Sequence, residues 1–372
     1  MAERTASPGR AAAPIETIEV SAYEIPTDAP ESDGTLEWDS TTMVLVEVSA
    51  GGKTGVGYTY GHQAIATLIR DKLSGVISGR DAMDVGDCWL TLVKSIRNLG
   101  RPGICSMAIA ALDIALWDLK ARLLDRPLVG LLGAFQAMVP VYGSGGFTSY
   151  SEAQLRNQLA GWVDAGIPRV KMKIGREPER DPARMKSARA AIGSATELYV
   201  DANGAYDRKQ ALAMAGVFLE HGVTWYEEPV TSDDLAGLRL LRDRAPAITE
   251  IAAGEYGYDL PYFRAMLEAG AVDVLQADIT RCAGLTGFLA VAALAEAHEV
   301  PLSAHCAPAL HLHPCCAIKP LRHLEYFYDH VRIERMLFDG TQEPDGGALR
   351  PDLSQPGLGL EFKRVDAQAY RL

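Results

Sequence analysis

The chain has 372 residues, 48% of them hydrophobic and 23% charged, with a formal net charge of −12. That length allows two domains or one large barrel with an addition, and the composition is that of a soluble globular protein. The acidic balance excludes broad nucleic-acid binding, and no run of about eighteen apolar residues exists, so no membrane span is expected.

Residues 1–13 are small and polar without an apolar stretch, which predicts a frayed tail rather than a signal peptide. Residues 15–25 read as a strand. Residues 26–42 hold Pro26, Pro30 and Gly34 and read as a long loop. Residues 43–48 alternate into a second strand, 50–55 make a hairpin turn, and 56–60 return. Helical patterns follow at about 62–76, 82–98 and 103–124. Residues 1–138 are therefore expected to form an α+β capping domain.

From residue 139 a βα period of roughly 25 residues takes over. Short apolar runs end in, or lead closely to, Lys173, Asp201, Glu227, Glu255, Asp278, His305 and Glu325. Ionisable residues at the carboxyl ends of successive barrel strands converge on one mouth. Asp201, Glu227 and Glu255 cannot share a small volume unless a cation neutralises them, and oxygen-only ligands favour magnesium or manganese over zinc. The predicted fold class is α/β, a modified TIM barrel of (β/α)7β type over residues 139–326 beneath the capping domain. Residues 327–372 are crowded with Pro and Gly from Pro344 onward, so no regular eighth helix is expected, and this tail should return to the cap.

Together, Lys171 and Lys173 on one strand, Val200 to Asn203, Tyr226-Glu227-Glu228-Pro229, Gly254-Glu255, Asp278, His305 and Glu325 resemble the mandelate racemase subgroup of the enolase superfamily. The resemblance extends over nearly the whole chain, including the helix carrying residues 113–118. It implies a magnesium enzyme that removes the proton α to a carboxylate, acting on a small carboxylate substrate and assembled as a homo-oligomer.

The chemistry agrees with such a site. Removing that proton leaves two negative charges on the substrate, and a metal touching both oxygens stabilises them more than the ground state. Lys173 would be one base, its pKa depressed by Lys171 and the metal. Asp278 and His305 look like the subgroup's dyad, in which the aspartate fixes the tautomer of the histidine. Glu325 would donate a hydrogen bond to a substrate oxygen, which requires a raised pKa. Asn203, Arg281 and, on the 26–42 loop, Trp38 are candidate substrate contacts, with Glu37 and Asp39 beside the last.

The favoured reaction is dehydration of an acid sugar, aldonate or aldarate, to a 2-keto-3-deoxy acid. A racemase or epimerase is the alternative, and a lactone or muconate cycloisomerase comes third. A regulatory homologue without chemistry is disfavoured by the full set of strand-end residues. His311-Leu312-His313 reads as loop or helix start rather than a zinc pair, and a zinc amidohydrolase would want an HxH on the first barrel strand, which residues 139–142 lack. Cys306, Cys315 and Cys316 read as packed thiols; with Cys88, Cys105 and Cys282 they form no CxxC pair, as expected of reduced thiols in a cytoplasmic protein.

Overall fold

The computed structural model describes residues 13–372; the tail expected at the N-terminus lies, save for Ala13, outside them. The first sheet is a three-stranded antiparallel meander: β1 (Thr17–Ser32), β2 (Glu37–Ala50) and β3 (Lys53–Tyr60). β1 and β2 stay paired from Thr17↔Ser49 to Pro26↔Ser40 and again from Glu31↔Trp38 to Ser32↔Glu37. Residues 26–42 are thus not a long loop, as their prolines led us to expect, but two hairpin arms with a turn of only residues 33–36. Proline lacks an N–H to donate, which an edge strand tolerates, and β1 is an edge strand. The helix Ile104–Leu123 lies flat against β3, where a Cβ on Gly55 or Gly57 would come within 2.2 or 2.3 Å of the carbonyls of Ala115 and Ala111.

Eight parallel strands form the barrel: β4 (Val139–Gly145), β5 (Arg169–Lys173), β6 (Glu197–Asp201), β7 (Val223–Glu227), β8 (Glu250–Ala253), β9 (Val274–Ala277), β10 (Leu302–Ala304) and β11 (Leu321–Phe327). β11 pairs with β4 from Leu324↔Val141 to Phe327↔Ser144 and closes the ring. Strand side chains alternate, so each strand sends one set inward and the other to the helices. Met172, Val200 and Tyr226 belong to the main core outside the barrel. Tyr142, Tyr199 and Trp225 fill a separate inner layer with Ala252 and Val274. Lys173, Asp201 and Glu227 sit opposite one another in register, two residues further along β5, β6 and β7. An aromatic floor therefore lies directly under an ionised layer.

A ten-residue helix, Tyr328–Leu337, does follow β11, contrary to the expectation from the Pro- and Gly-rich tail; those residues lie beyond it. Its polar side chains face the meander: Tyr58 OH donates to Glu334 at 2.7 Å and Thr41 Oγ1 to Asp329 at 2.5 Å. The tail then runs back to the cap. Ala348 and Leu349 pair with the start of β4, the Leu358 N–H donates to Asp118 at 2.7 Å, and Arg364 meets Glu47.

The hairpin turn rests on the barrel mouth. Ser32 and Thr148 hydroxyls lie 2.6 Å apart, Arg176 pairs with Glu37 at 2.7 Å, and Thr35 Oγ1 donates to the Asn203 carbonyl at 3.4 Å. A Cβ on Gly34 would approach the Ala202 and Ile174 carbonyls to 2.4 and 2.8 Å. Gly34→Val should therefore lift the turn off the barrel without disturbing the core. Hydrogen exchange of residues 33–36 is expected to accelerate by more than about tenfold while the melting temperature shifts by no more than about 3 °C. A large loss of melting temperature with unchanged local exchange would show that the turn is not seated there.

Candidate active site

The ionised layer holds the predicted residues together. Lys171 Nζ, fully buried, touches Glu227 and lies 2.8 Å from Glu325 and 3.3 Å from Asp201. Lys173 Nζ lies 2.5 Å from Asp201 Oδ2. Trp225 Nε1, from the layer below, donates to Glu227 at 2.8 Å. Across the mouth His305 Nδ1 sits 2.8 Å from Asp278 Oδ2, and its Nε2 lies 3.3 Å from Glu255 and 3.6 Å from Glu325. Asp278 is further held by the backbone and hydroxyl of Thr280, both at 2.7 Å.

From the protein groups alone, two pKa directions run opposite to those expected of the metal-loaded site. Lys173 is raised, not depressed: burial opposes the charge, but the Asp201 carboxylate outweighs it. Glu325 is lowered, not raised: burial opposes ionisation, but Lys171 and His305 outweigh it, and Ser144 Oγ at 2.6 Å and the Cys306 N–H at 3.1 Å also donate to it. His305 is raised because Cys306, Glu255, Glu325 and the Asp278 hydrogen bond together overcome burial. Glu227 is pushed up to about 8 by burial and by Asp201.

Arg281 is committed within the site, with Nη1 3.2 Å from Glu255 and Nε 3.7 Å from Asp278. The Asn203 N–H donates to Asp201 at 2.9 Å, and its side-chain oxygen is buried without a partner. Trp38 stands apart from the ion pairs. It donates to Glu31 at 2.9 Å and meets Phe147 edge-on at 5.7 Å, in an aromatic patch that includes Phe327 and Cys306. Cys306 is thus more than packing: its Sγ lies 3.3 Å from His305 Nε2 and 3.4 Å from Glu325.

Sequence reasoning passed over two residues. Glu228 is buried with Oε1 unpartnered and its backbone in the left-handed region at φ +37°; the doubled glutamate before Pro229 was its signal. His311, expected in a loop or helix start, is fully buried in the helix Pro308–Cys316. Its Nε2 accepts from the Ile279 N–H at 2.9 Å, and Nδ1 donates to the carbonyls of Cys306 and Ala307 at 2.9 and 3.2 Å. One imidazole thereby ties the backbone just after Asp278 to the backbone just after His305.

The donor set suits a hard divalent cation. Asp201, Glu227 and Glu255 each offer a carboxylate oxygen within 4.8 Å of the others, all buried. Around them six carboxyl groups (Asp201, Glu227, Glu228, Glu255, Asp278, Glu325) face four basic groups (Lys171, Lys173, Arg281, His305), an excess of two. All three candidate ligands offer oxygen, as magnesium prefers.

Residues 18–133 match the mandelate racemase/muconate lactonizing enzyme N-terminal domain and residues 154–367 the enolase C-terminal domain-like family. The chain belongs to this family. It is 31% identical to the 3,6-anhydro-α-L-galactonate cycloisomerase of Streptomyces coelicolor over 94% of this chain and 98% of that protein. A mandelate racemase/muconate lactonizing enzyme-like protein from Rubrobacter xylanophilus has 58% identity and a TM-score of 0.95, with 96% of this chain and all of that one covered. The L-talarate/galactarate dehydratase of Salmonella typhimurium, liganded with magnesium and L-lyxarohydroxamate, has 28% identity and a TM-score of 0.89, covering 100% and 96%.

The His311 bridge requires a neutral ring, and burial lowers its pKa from 6.5 to about 4 against the opposing pull of Asp278. The unfolded chain therefore takes the proton first. The contribution is whole above pH 6.5 and is lost as the pH falls towards 4, on the order of 3 kcal/mol in all. His311→Ala should cost about 1–3 kcal/mol in urea denaturation for each backbone group left unpaired, and its stability should fall less steeply than wild type across that window. Parallel pH profiles for the two proteins would remove His311 from this role.

Proposed function

We propose that this enzyme removes the proton α to the carboxylate of an acid sugar and then expels the β-hydroxyl, giving a 2-keto-3-deoxy acid. The reading is carried by one observation: Lys173 and the Asp278–His305 pair flank a carboxylate triad from different sides of the mouth. Magnesium held by Asp201, Glu227 and Glu255 would supply a Lewis acid to the substrate carboxylate and take over the charge that now raises Lys173.

The remaining roles fall to the chain's own groups. Lys173 Nζ, once it has shed the proton shared with Asp201, takes the α-proton. Lys171, pinned among three acids, stays charged and balances the developing oxyanion. Glu325, ionised, accepts from Lys171 and Ser144 and holds them in place rather than donating to substrate. His305 Nε2, protonated and fixed by Asp278, delivers its proton to the departing β-oxygen. The enol product then tautomerises to the keto acid.

A cycloisomerase is the second reading, favoured by the Streptomyces coelicolor relative. A 3,6-anhydro ring carries its oxygen on the β-carbon, so the same proton from His305 would open it without loss of water. Mass spectrometry of the product separates the two, since dehydration removes a water and ring opening conserves the formula.

In deuterated water Lys173 returns deuterium from its own side, and His305 from the other side in the fraction of enzyme whose imidazole is neutral. Lys173→Ala should stop exchange at one α-configuration and His305→Asn at the other, and each should abolish keto acid formation. A wild-type enzyme that interconverts epimers and forms no keto acid would make the protein an epimerase. In calorimetry, Glu227→Gln should weaken magnesium binding by more than about tenfold, or about 1.4 kcal/mol. Unchanged affinity would take Glu227 out of the metal site.

A further inference from the structure

Beside the triad a cavity of 540 Å³ opens at the mouth, under the hairpin turn. Asn203, Glu228, Ser232, Asp233, Tyr256 and Asp259 are among its lining residues. Asn203 Oδ1 and Glu228 Oε1 are buried there and lack hydrogen-bond partners. These are acceptors, or donors when a carboxyl is protonated, and they stand beside hydroxyl-bearing residues. Such a wall matches the hydroxyls of a polyol chain.

Among the described residues the lining includes three acids and no Lys, Arg or His. One nearby cation is committed elsewhere. Arg281 lies over the Tyr256 ring at 5.0 Å with its guanidinium on Glu255 and Asp278. Arg101, next to the lining Pro102 but not itself in the lining, lies over Trp89 at 5.5 Å, with its Nε buried and unpartnered. The other direction out of the mouth, beneath the hairpin, differs: Arg176, Arg180 and Arg184 line it, the first two paired with Glu37 and Glu177. Glu31 is buried there with one oxygen unpartnered. Arg332 is held by Asp329 and the Pro26 carbonyl, both at 2.7 Å, and Arg184 by the carbonyls of Gly146, Phe147 and Tyr150, with its Nε buried and unpartnered.

Resting on the acid-sugar reading above, we propose that the enzyme selects substrates with a single carboxylate and an uncharged, hydroxyl-rich distal end, seated in the Asn203–Glu228–Asp233 cavity. A second carboxylate would be desolvated beside acids with no cation among the described lining residues to pair with it, which disfavours aldarates. Neutral hydroxyls instead satisfy the two orphaned oxygens. Open-chain aldonates and cyclic monoacids both meet this requirement.

The test uses the full chain with magnesium chloride and matched pairs such as galactonate and galactarate, over a panel of configurations. Keto acid formation and α-deuterium exchange are read together. The active configuration should show a kcat/KM for the monoacid at least tenfold above that for the diacid. Asp233→Arg, on an exposed loop position, should narrow that ratio by raising diacid turnover. Equal or better turnover of the diacid by wild type overturns the proposal while leaving the acid-sugar reading intact. An unchanged ratio in Asp233→Arg also overturns it, by placing the distal end elsewhere. Exchange with no acid of either kind removes the acid-sugar reading, and this proposal falls with it.

Discussion

Everything at the barrel mouth depends on Lys171. Its ammonium is fully buried, at the meeting point of Asp201, Glu227 and Glu325, above the ring of Tyr142 at 5.4 Å. A lone buried ammonium would lose its proton, and buried carboxylates without it would take protons up. The charge of each group is set by the others, and Glu227, pressed by burial and by Asp201, is the acid whose pKa is held up, at about 8. The aromatic floor of Tyr142, Tyr199 and Trp225 makes this possible by keeping water out from below, so that the Coulomb terms are large. Removing either lysine would leave acids facing acids.

The barrel was legible because its signal is periodic. A single acid after a strand means little, but ionisable residues in phase around a ring can only converge, and the structure places them in register at Lys173, Asp201 and Glu227. The hairpin was misread for a local reason. Pro26, Pro30 and Gly34 break structure in most settings, and only the sheet order reveals that β1 is an edge where a missing N–H costs nothing. The helix Tyr328–Leu337 was hidden by the Pro and Gly that follow it.

The charge states of Lys173 and Glu325 were illegible in a deeper sense. Which lysine faces which acid is set by strand neighbours across the barrel, and no spacing in the chain encodes it. The same holds for His311. Its value lies in two backbone groups more than twenty residues apart on either side of the dyad. The chain also spends conformational strain here: Asn203, Glu228, Cys306 and Ala307 all adopt positive φ at strand ends facing the mouth. Each is held by a bond to its surroundings, such as the Asn203 N–H on Asp201 or the Cys306 N–H on Glu325.

The seam where β11 meets β4 carries a consequence for folding. The two strands pair across the whole length of the barrel sequence, so theirs is the loop closure with the largest entropy cost in the ring. Lys171 and Glu325 reach across that seam from β5 and β11. Until it closes, Lys171 lacks one of its three acids and Glu325 lacks its ammonium. The ion pair at the heart of the site is therefore also the latch of the barrel, and an intermediate with every helix formed but the seam open is a protein without a site.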